Sequence, residues 1–319
     1  MINTMSSQFT DSYKWMEYAN DNSPLIITVA VNGGIQGKEL LEKIPETPDE
    51  IAAETFDAYN AGASVVHIHG RNPNNLAICT EDPDVYREIN AKVRAKCPDI
   101  IINNTTGGGM TTTMEARYRC LEAKPEIASL NMGPDMSKFK LPARKPPLLH
   151  PHEGWDFDGC IPFTYEAIKK LTKIMVAHDI KSEMEMYHPG QYWVSRELIQ
   201  EELVKPPYLF QFVMGVQTSI FPTPWNLITM ARELPDQSLF CVAGIGKYQW
   251  QMVTLSMILG GHIRVGFEDN LYLKRGQKLR SNAEAVEKAV RIAGELHRPI
   301  ATPAQAREIM GISPVPSVY

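Results

Sequence analysis

The 319-residue chain has no apolar run approaching the roughly 20 residues that a membrane-spanning helix needs. Its first residues, Met1 to Trp15, lack the basic start and apolar core of a signal peptide. Dense Lys/Arg runs are also missing, and the formal net charge of -5 gives no electrostatic footprint for nucleic acid. The five cysteines (Cys79, Cys97, Cys120, Cys160 and Cys241) are an odd number, widely spread and without a CxxC pair. That spacing argues against a thiolate metal cage and suits reduced thiols better than a disulfide framework. The expectation is a cytoplasmic protein with neither membrane nor nucleic acid as partner. The dinucleotide fingerprint is absent too: Asn32-Gly33-Gly34-Ile35-Gln36-Gly37 follows the first apolar run without GxGxxG spacing and with no helix directly behind it.

With 44% hydrophobic and 22% charged residues, the chain has an ordinary globular composition. After a polar arm, residues 1–23, short β-branched runs alternate with helical patterns. The strand candidates are Leu25 to Val31, Ser64 to His69, Ile100 to Asn104, Ala128 to Met132, Lys181 to Met186, Leu209 to Met214, Leu239 to Val242 and His262 to Val265. The helical patterns are Thr47 to Asn60, Pro83 to Lys96, Thr112 to Ala123, Thr164 to His178, Ser195 to Leu203, Pro224 to Glu233, Tyr248 to Leu259 and Asn282 to Leu296. Start signals support Thr47, with Pro48 and then Glu50 behind it, and Ser195 ahead of Glu197. Eight strand-then-helix repeats predict an α/β fold, a (β/α)8 TIM barrel, as one catalytic domain over residues 24–319. An irregular insertion, Gly133 to Pro162, is rich in proline and carries His150 and His152, which read as exposed loop histidines.

The chemistry concentrates at predicted strand ends. His67 and His69 in Val65-Val66-His67-Ile68-His69 lie one residue apart, so on a strand both imidazoles point the same way. Hydrogen-bonded histidines of a half-buried strand would show the same pattern, so a third ligand has to decide. A barrel sets its eighth strand beside the first and one strand from the second, which brings Glu268 within reach of both rings. Two histidines and one carboxylate form a catalytic zinc pattern with an open position. The neighbouring acids Glu268 and Asp269 suggest one carboxylate on the metal and the other as base. Arg264 suits a bidentate grip on a substrate carboxylate, against the plainer reading of a structural ion pair. Thr105, Thr106 and Gly107 to Gly109, followed by Thr111 to Thr113 at a helix start, offer hydroxyls and bare backbone amides to an anion.

Several motifs then fall in order: HIHGR after the second strand, TTGGG after the third, ASLNMG after the fourth, VAGIGK after the seventh and GGHIRVGFEDN at the eighth. With RPIATPAQAREIM near the end, they resemble the β-keto acid cleavage enzymes, typified by 3-keto-5-aminohexanoate cleavage enzyme. The similarity runs from about Pro24 to Met310. The resemblance implies a zinc-dependent barrel that converts a β-keto acid and acetyl-CoA into acetoacetate and a new acyl-CoA, by a retro-Claisen route with no redox cofactor. It implies His67, His69 and Glu268 as zinc ligands and Asp269 as base, with Arg264 supporting charge beside the metal. Thr105, Gly108 and Ser129 would hold the keto-acid end, with Thr106 and Gly107 in the same loop. It also implies a homo-oligomer, a dimer or a tetramer.

Two departures bear on the substrate. Gly34-Ile35-Gln36 stands where the amine-substrate member has a glutamate, and His188 stands where it has an acidic residue. A neutral or anionic substrate tail is therefore expected. The competing readings are a metal-dependent hydrolase or aldolase on the same barrel, using His188 and Asp269 as further ligands, and a non-catalytic small-molecule binding protein.

Overall fold

The computed structural model describes residues 12–13, 16, 23–109 and 112–319, so most of the expected N-terminal arm lies outside the described residues. Eight parallel strands close into a barrel. They are β1 (Ile27–Ala30), β2 (Val65–Ile68), β3 (Ile101–Asn104), β4 (Ile127–Asn131), β5 (Lys181–Met186), β6 (Tyr208–Met214), β7 (Ser238–Gly244) and β8 (His262–Val265). All eight fall inside or within a few residues of the expected runs. The ring closes by pairing β1 with β2 on one side and β8 on the other, with Ala30 beside His67 and Val29 beside Val265. A (β/α)8 barrel is therefore the fold.

The helices follow from local chemistry. In the first, Pro48–Asn60, the Thr47 side chain accepts from the Glu50 amide and Glu50 reaches back to Thr47, a closed capping box. Its buried Ile51, Thr55 and Ala58 recur at helical spacing and face the barrel. Ser195 does not start its helix. That helix runs Tyr192–Gln200 behind a turn at Pro189–Gln191, and the Ser195 hydroxyl donates to the Tyr192 carbonyl inside it. Tertiary packing sets this start, since the Tyr192 ring lies 5.8 Å from Phe210 and its hydroxyl donates to the Met230 carbonyl.

Inside the ring, alternation sorts side chains by height. Ile26, Val65, Ile101, Ile127, Leu209 and Leu239 pack together at the N-terminal end, closed from below by Ala306 and Met310 of a last helix, Pro303–Met310. That helix lies in the RPIATPAQAREIM stretch and has its own capping box at Thr302 and Gln305.

The insertion is not irregular. Asp135–Leu141 and Trp155–Ile161 pair as an antiparallel hairpin in which Phe139 stacks on Phe157 and meets Trp155 edge-on. Both strands alternate partly buried and exposed residues, a period-two signal that the proline-rich tip between them obscures. The tip is anchored by Arg144, which is buried and bidentate on Glu46 at 2.7 and 2.8 Å. His150 and His152 are half-buried rather than exposed. The His150 Nδ1 accepts from the Leu76 amide and ties the tip to the segment after β2, while among the described residues His152 Nδ1 contacts only the neighbouring Glu153 carbonyl.

Candidate metal centre at the barrel mouth

The C-terminal ends of β2 and β8 carry the expected cluster. Ligand atoms of His67, His69 and Glu268 all lie within 4.8 Å of one another. His67 and His69 point inward from β2 and its end, as two-residue spacing dictates, and are 1% and 5% exposed. Glu268 reaches them because β8 leaves the sheet at Gly266, whose φ is +135° and where a Cβ would sit 2.3 Å from the Ala30 carbonyl oxygen. Only glycine permits that turn toward β1. Gly34 plays a matching part on the other side, since a Cβ there would lie 2.9 Å from His69 Nδ1.

These donors fit a zinc ion. Bonds of about 2.0–2.2 Å to imidazole nitrogen and carboxylate oxygen set tetrahedral neighbours roughly 3.4 Å apart. The His69 Nε2 and His67 Nε2 atoms stand 3.4 and 3.7 Å from the Glu268 oxygens, too long for good hydrogen bonds and close to that spacing. Glu268 Oε2 is buried and accepts no hydrogen bond among the described residues.

The electrostatics separate the groups. Burial pushes the His67 imidazole down to about 3, the neutral form a metal requires. Burial also presses on His69, but Glu268 and Cys79 outweigh it and lift that ring to about 10. Burial works against ionised Glu268, yet Arg264 and the two histidines hold its carboxyl well below the usual range. Burial raises Asp269 in spite of Arg264, leaving it a stronger base than a free aspartate.

Arg264 does not offer its fork to a ligand. Its Nε and Nη2 grip the two Asp269 oxygens at 3.0 and 2.6 Å, and Nη2 also donates to Glu268 at 2.8 Å. Glu185, on β5 across the mouth, faces Nη1 at 3.5 Å, and burial pushes its carboxyl up to about 8. The plainer reading of Arg264 as a buried ion pair is therefore part of what it does: it orients the Asp269 and Glu268 carboxylates together.

The loop after β3 is more interlocked than its composition suggests. The Thr106 amide donates to the Ser129 hydroxyl at 3.0 Å and the Thr106 hydroxyl to the Ser129 carbonyl at 2.7 Å. The Gly107 and Gly109 amides are not bare but are capped by the Thr105 and Thr112 hydroxyls. Gly108 keeps a left-handed φ of +58° under this lattice. Sequence reasoning passed over Tyr187, whose hydroxyl donates to Asn131 at 2.7 Å, and Gln36, which holds the Phe267 and Glu268 carbonyls at 2.9 and 2.6 Å. Tyr187 shares the inward parity of Glu183 and Glu185, a signal available in the sequence; Gln36 carried none.

Fold and cluster define a (β/α)8 barrel with a candidate two-histidine, one-carboxylate metal centre at its mouth. The beta-keto acid cleavage enzyme family model matches residues 24–312, and the chain belongs to that family. A relative from Fusobacterium nucleatum, 3-keto-5-aminohexanoate cleavage enzyme, is 37% identical over 290 residues, covering 90% of this chain and 98% of the relative. The 3,5-dioxohexanoate:acetyl-CoA acetone transferase of Paraburkholderia graminis is 30% identical, covering 90% and 95%. A binary complex of ObcA with oxaloacetate shares the fold, with a TM-score of 0.68 at 19% identity over 85% of this chain and 68% of that one. The chain is a β-keto acid cleaving acyltransferase by these relationships.

Proposed function

We propose that the protein is a zinc-dependent enzyme that takes a β-keto acid with a neutral or anionic tail and acetyl-CoA to acetoacetate and a new acyl-CoA. The observation that carries this is the convergence of His67, His69 and Glu268 beside a base, Asp269, that Arg264 holds by two hydrogen bonds. Zinc, when bound by those three residues, supplies Lewis-acid polarisation of the keto acid's oxygens. Asp269 takes the proton from the carbon next to that carbonyl, and burial strengthens it for the task. The enolate attacks the thioester, CoA passes to the other carbonyl, and a retro-Claisen cleavage releases acetoacetate. Arg264 keeps Asp269 and Glu268 aligned through these charge changes. Thr105, Thr106, Gly107, Gly108 and Ser129 shape the wall that holds the keto-acid end.

The tail assignment rests on the acids near the mouth. Glu39 and Glu46, in the segment after β1, are committed to Arg144, and Gln36 is turned onto the backbone of Phe267 and Glu268. Glu185 is pushed toward its neutral form, which pairs weakly with an ammonium group. The hydrolase and aldolase readings need more ligands than the cluster provides: neither His188 nor Asp269 joins the three among the described residues. The proposal includes a cytoplasmic homo-oligomer, dimer or tetramer, built from one catalytic domain over residues 24–319 with residues 1–23 as an arm.

The test is an acetyl-CoA-dependent screen of β-keto acids with mass detection of the acyl-CoA product. Turnover of keto acids with neutral or carboxylate tails supports the reading. Turnover of the 5-amino compound alone overturns the tail assignment, and turnover independent of CoA overturns the reaction.

A further inference from the structure

The hairpin of Asp135–Leu141 and Trp155–Ile161 straps the barrel mouth from one side to the other. Near its base, Gln217 of the loop after β6 donates to the Lys138 carbonyl at 2.5 Å, and at its tip Arg144 holds Glu39 and Glu46 of the segment after β1. In the ring of eight, β5 and β6 stand opposite β1 and β2, so the two anchorages lie across the mouth from each other. Residues directly opposed in an antiparallel pair share a face, and the pairing here makes two unlike faces. One carries Lys138 against Asp158 and Lys140 against Asp156, all exposed, with nitrogen to oxygen distances of 2.9 and 3.0 Å. The other sets Phe139 against Phe157 and Leu141 against Trp155, and all but Trp155 are partly buried. Because the strap is tied to the barrel at both ends, its more buried face is the one turned to the mouth. The three rings lie 5.2, 6.0 and 6.2 Å apart, yet among the described residues neither they nor Leu141 pack against the hydrophobic core of the barrel.

We propose that this aromatic face is the roof of the substrate site and selects a β-keto acid with an uncharged, apolar tail. The inference rests on the β-keto acid reading above and narrows its neutral or anionic tail to an apolar one. A keto acid held by its oxygens at His67, His69 and Glu268 has its far end directed out of the barrel, toward the strap. There Phe139, Phe157 and Leu141 present apolar surface that is only partly covered, and taking it out of water together with an alkyl or aryl tail drives binding. A carboxylate tail finds no free cation on the strap. Lys138 and Lys140 project to the opposite face and are paired with Asp158 and Asp156, and Arg144 at the tip is committed to Glu39 and Glu46. The one charged side chain on the aromatic face, Asp135 at its base, is itself an acid. A charged tail of either sign would also lose water against the rings without a matched partner beside them.

The test is calorimetry on the full-length protein with added zinc and no acetyl-CoA, using 3-oxohexanoate, 3-oxooctanoate, 3-oxohexanedioate and 5-amino-3-oxohexanoate. The two further methylenes of 3-oxooctanoate are expected to lower its Kd about tenfold below that of 3-oxohexanoate. Both charged tails are expected to bind more weakly than 3-oxohexanoate, which has the same carbon chain. Phe157→Ala should shrink the advantage of 3-oxooctanoate over 3-oxohexanoate to about threefold or less, and Phe157→Leu should restore most of it. In the wild-type protein, which needs no variant to fold, 3-oxooctanoate binding no tighter than 3-oxohexanoate, or either charged tail binding as tightly as 3-oxohexanoate, overturns the proposal. An advantage left intact in Phe157→Ala also overturns it: weaker acetyl-CoA binding in that variant then assigns the face to CoA, and a changed native mass assigns it to a second copy of the chain. Acetyl-CoA-dependent turnover is measured separately, so its absence fails the reaction proposed above while the affinities still decide the tail.

Discussion

On β2, Val65 points into an aliphatic layer and His67, two residues further along, points into the candidate metal cluster. The same change of chemistry recurs around the barrel: Ile101 below and Asn103 above on β3, Ile127 below and Ser129 above on β4, Leu209 below and Gln211 above on β6. The lower end is a plug that any well-packed set of branched aliphatics would make, and the last helix seals it. The upper end buries His67, His69, Arg264 and Asp269, an arrangement that costs desolvation energy and gains it back only through specific partners. One end is set by volume and hydrophobicity, the other by geometry and charge. Substitutions should therefore separate stability from activity according to height in the barrel.

The largest effect is expected at the top. Glu268→Gln or His67→Ala removes one of the three proposed ligands, and acetyl-CoA-dependent turnover should fall by about 10³-fold or more, with bound zinc lost in elemental analysis. A variant that keeps both metal and turnover would erase the distinction between the two ends. Arg264→Lys keeps the charge but breaks the two-pronged grip on Asp269. Turnover should drop by roughly 10²-fold while zinc content stays near that of the wild type. At the bottom, Ile101→Ala leaves a hole in the plug and should cost about 2–5 kcal/mol in chemical denaturation, with zinc still bound by the folded fraction.

The smallest effect concerns the layer between. His262 points inward from β8, accepts the Ile26 amide on Nδ1, and is held down to about 3 by burial and by Arg298. The folded state thus keeps the ring neutral where the unfolded chain protonates it. Stability from this group is complete above about pH 6.5 and is lost as the pH falls toward 3. Between pH 6.5 and 4.5 the loss is up to about 3 kcal/mol. Denaturation midpoints measured over that range should decline more steeply for the wild type than for His262→Gln.

Much of this was legible because barrel strands advertise themselves twice, by β-branched runs and by the polar residue that ends each run. Lys181–Met186 and His262–Val265 match their sequence expectations residue for residue. The insertion hairpin was missed because a two-residue alternation broken by Pro142, Pro146, Pro147 and Pro151 reads as loop. The Thr-Gly loop was misread in one respect: sequence counts its hydroxyls and amides but cannot see that Thr105 and Thr112 cap the Gly107 and Gly109 amides. Arg264 shows the same limit. Its residue type announces bidentate pairing, while its partner, Asp269 rather than a ligand, is a matter of where the chain turns after Gly266.

The order of strands and helices, the shared face of His67 and His69, and the placing of Glu268 at the end of the eighth strand follow from periodicity and chain order alone. Closure of the ring, the turn that swings Glu268 onto both imidazoles and the clamp of Arg264 on Asp269 arise only in three dimensions. Periodicity is a local property of the backbone, whereas distances between residues some two hundred positions apart depend on how the whole sheet curls and which neighbours exclude water.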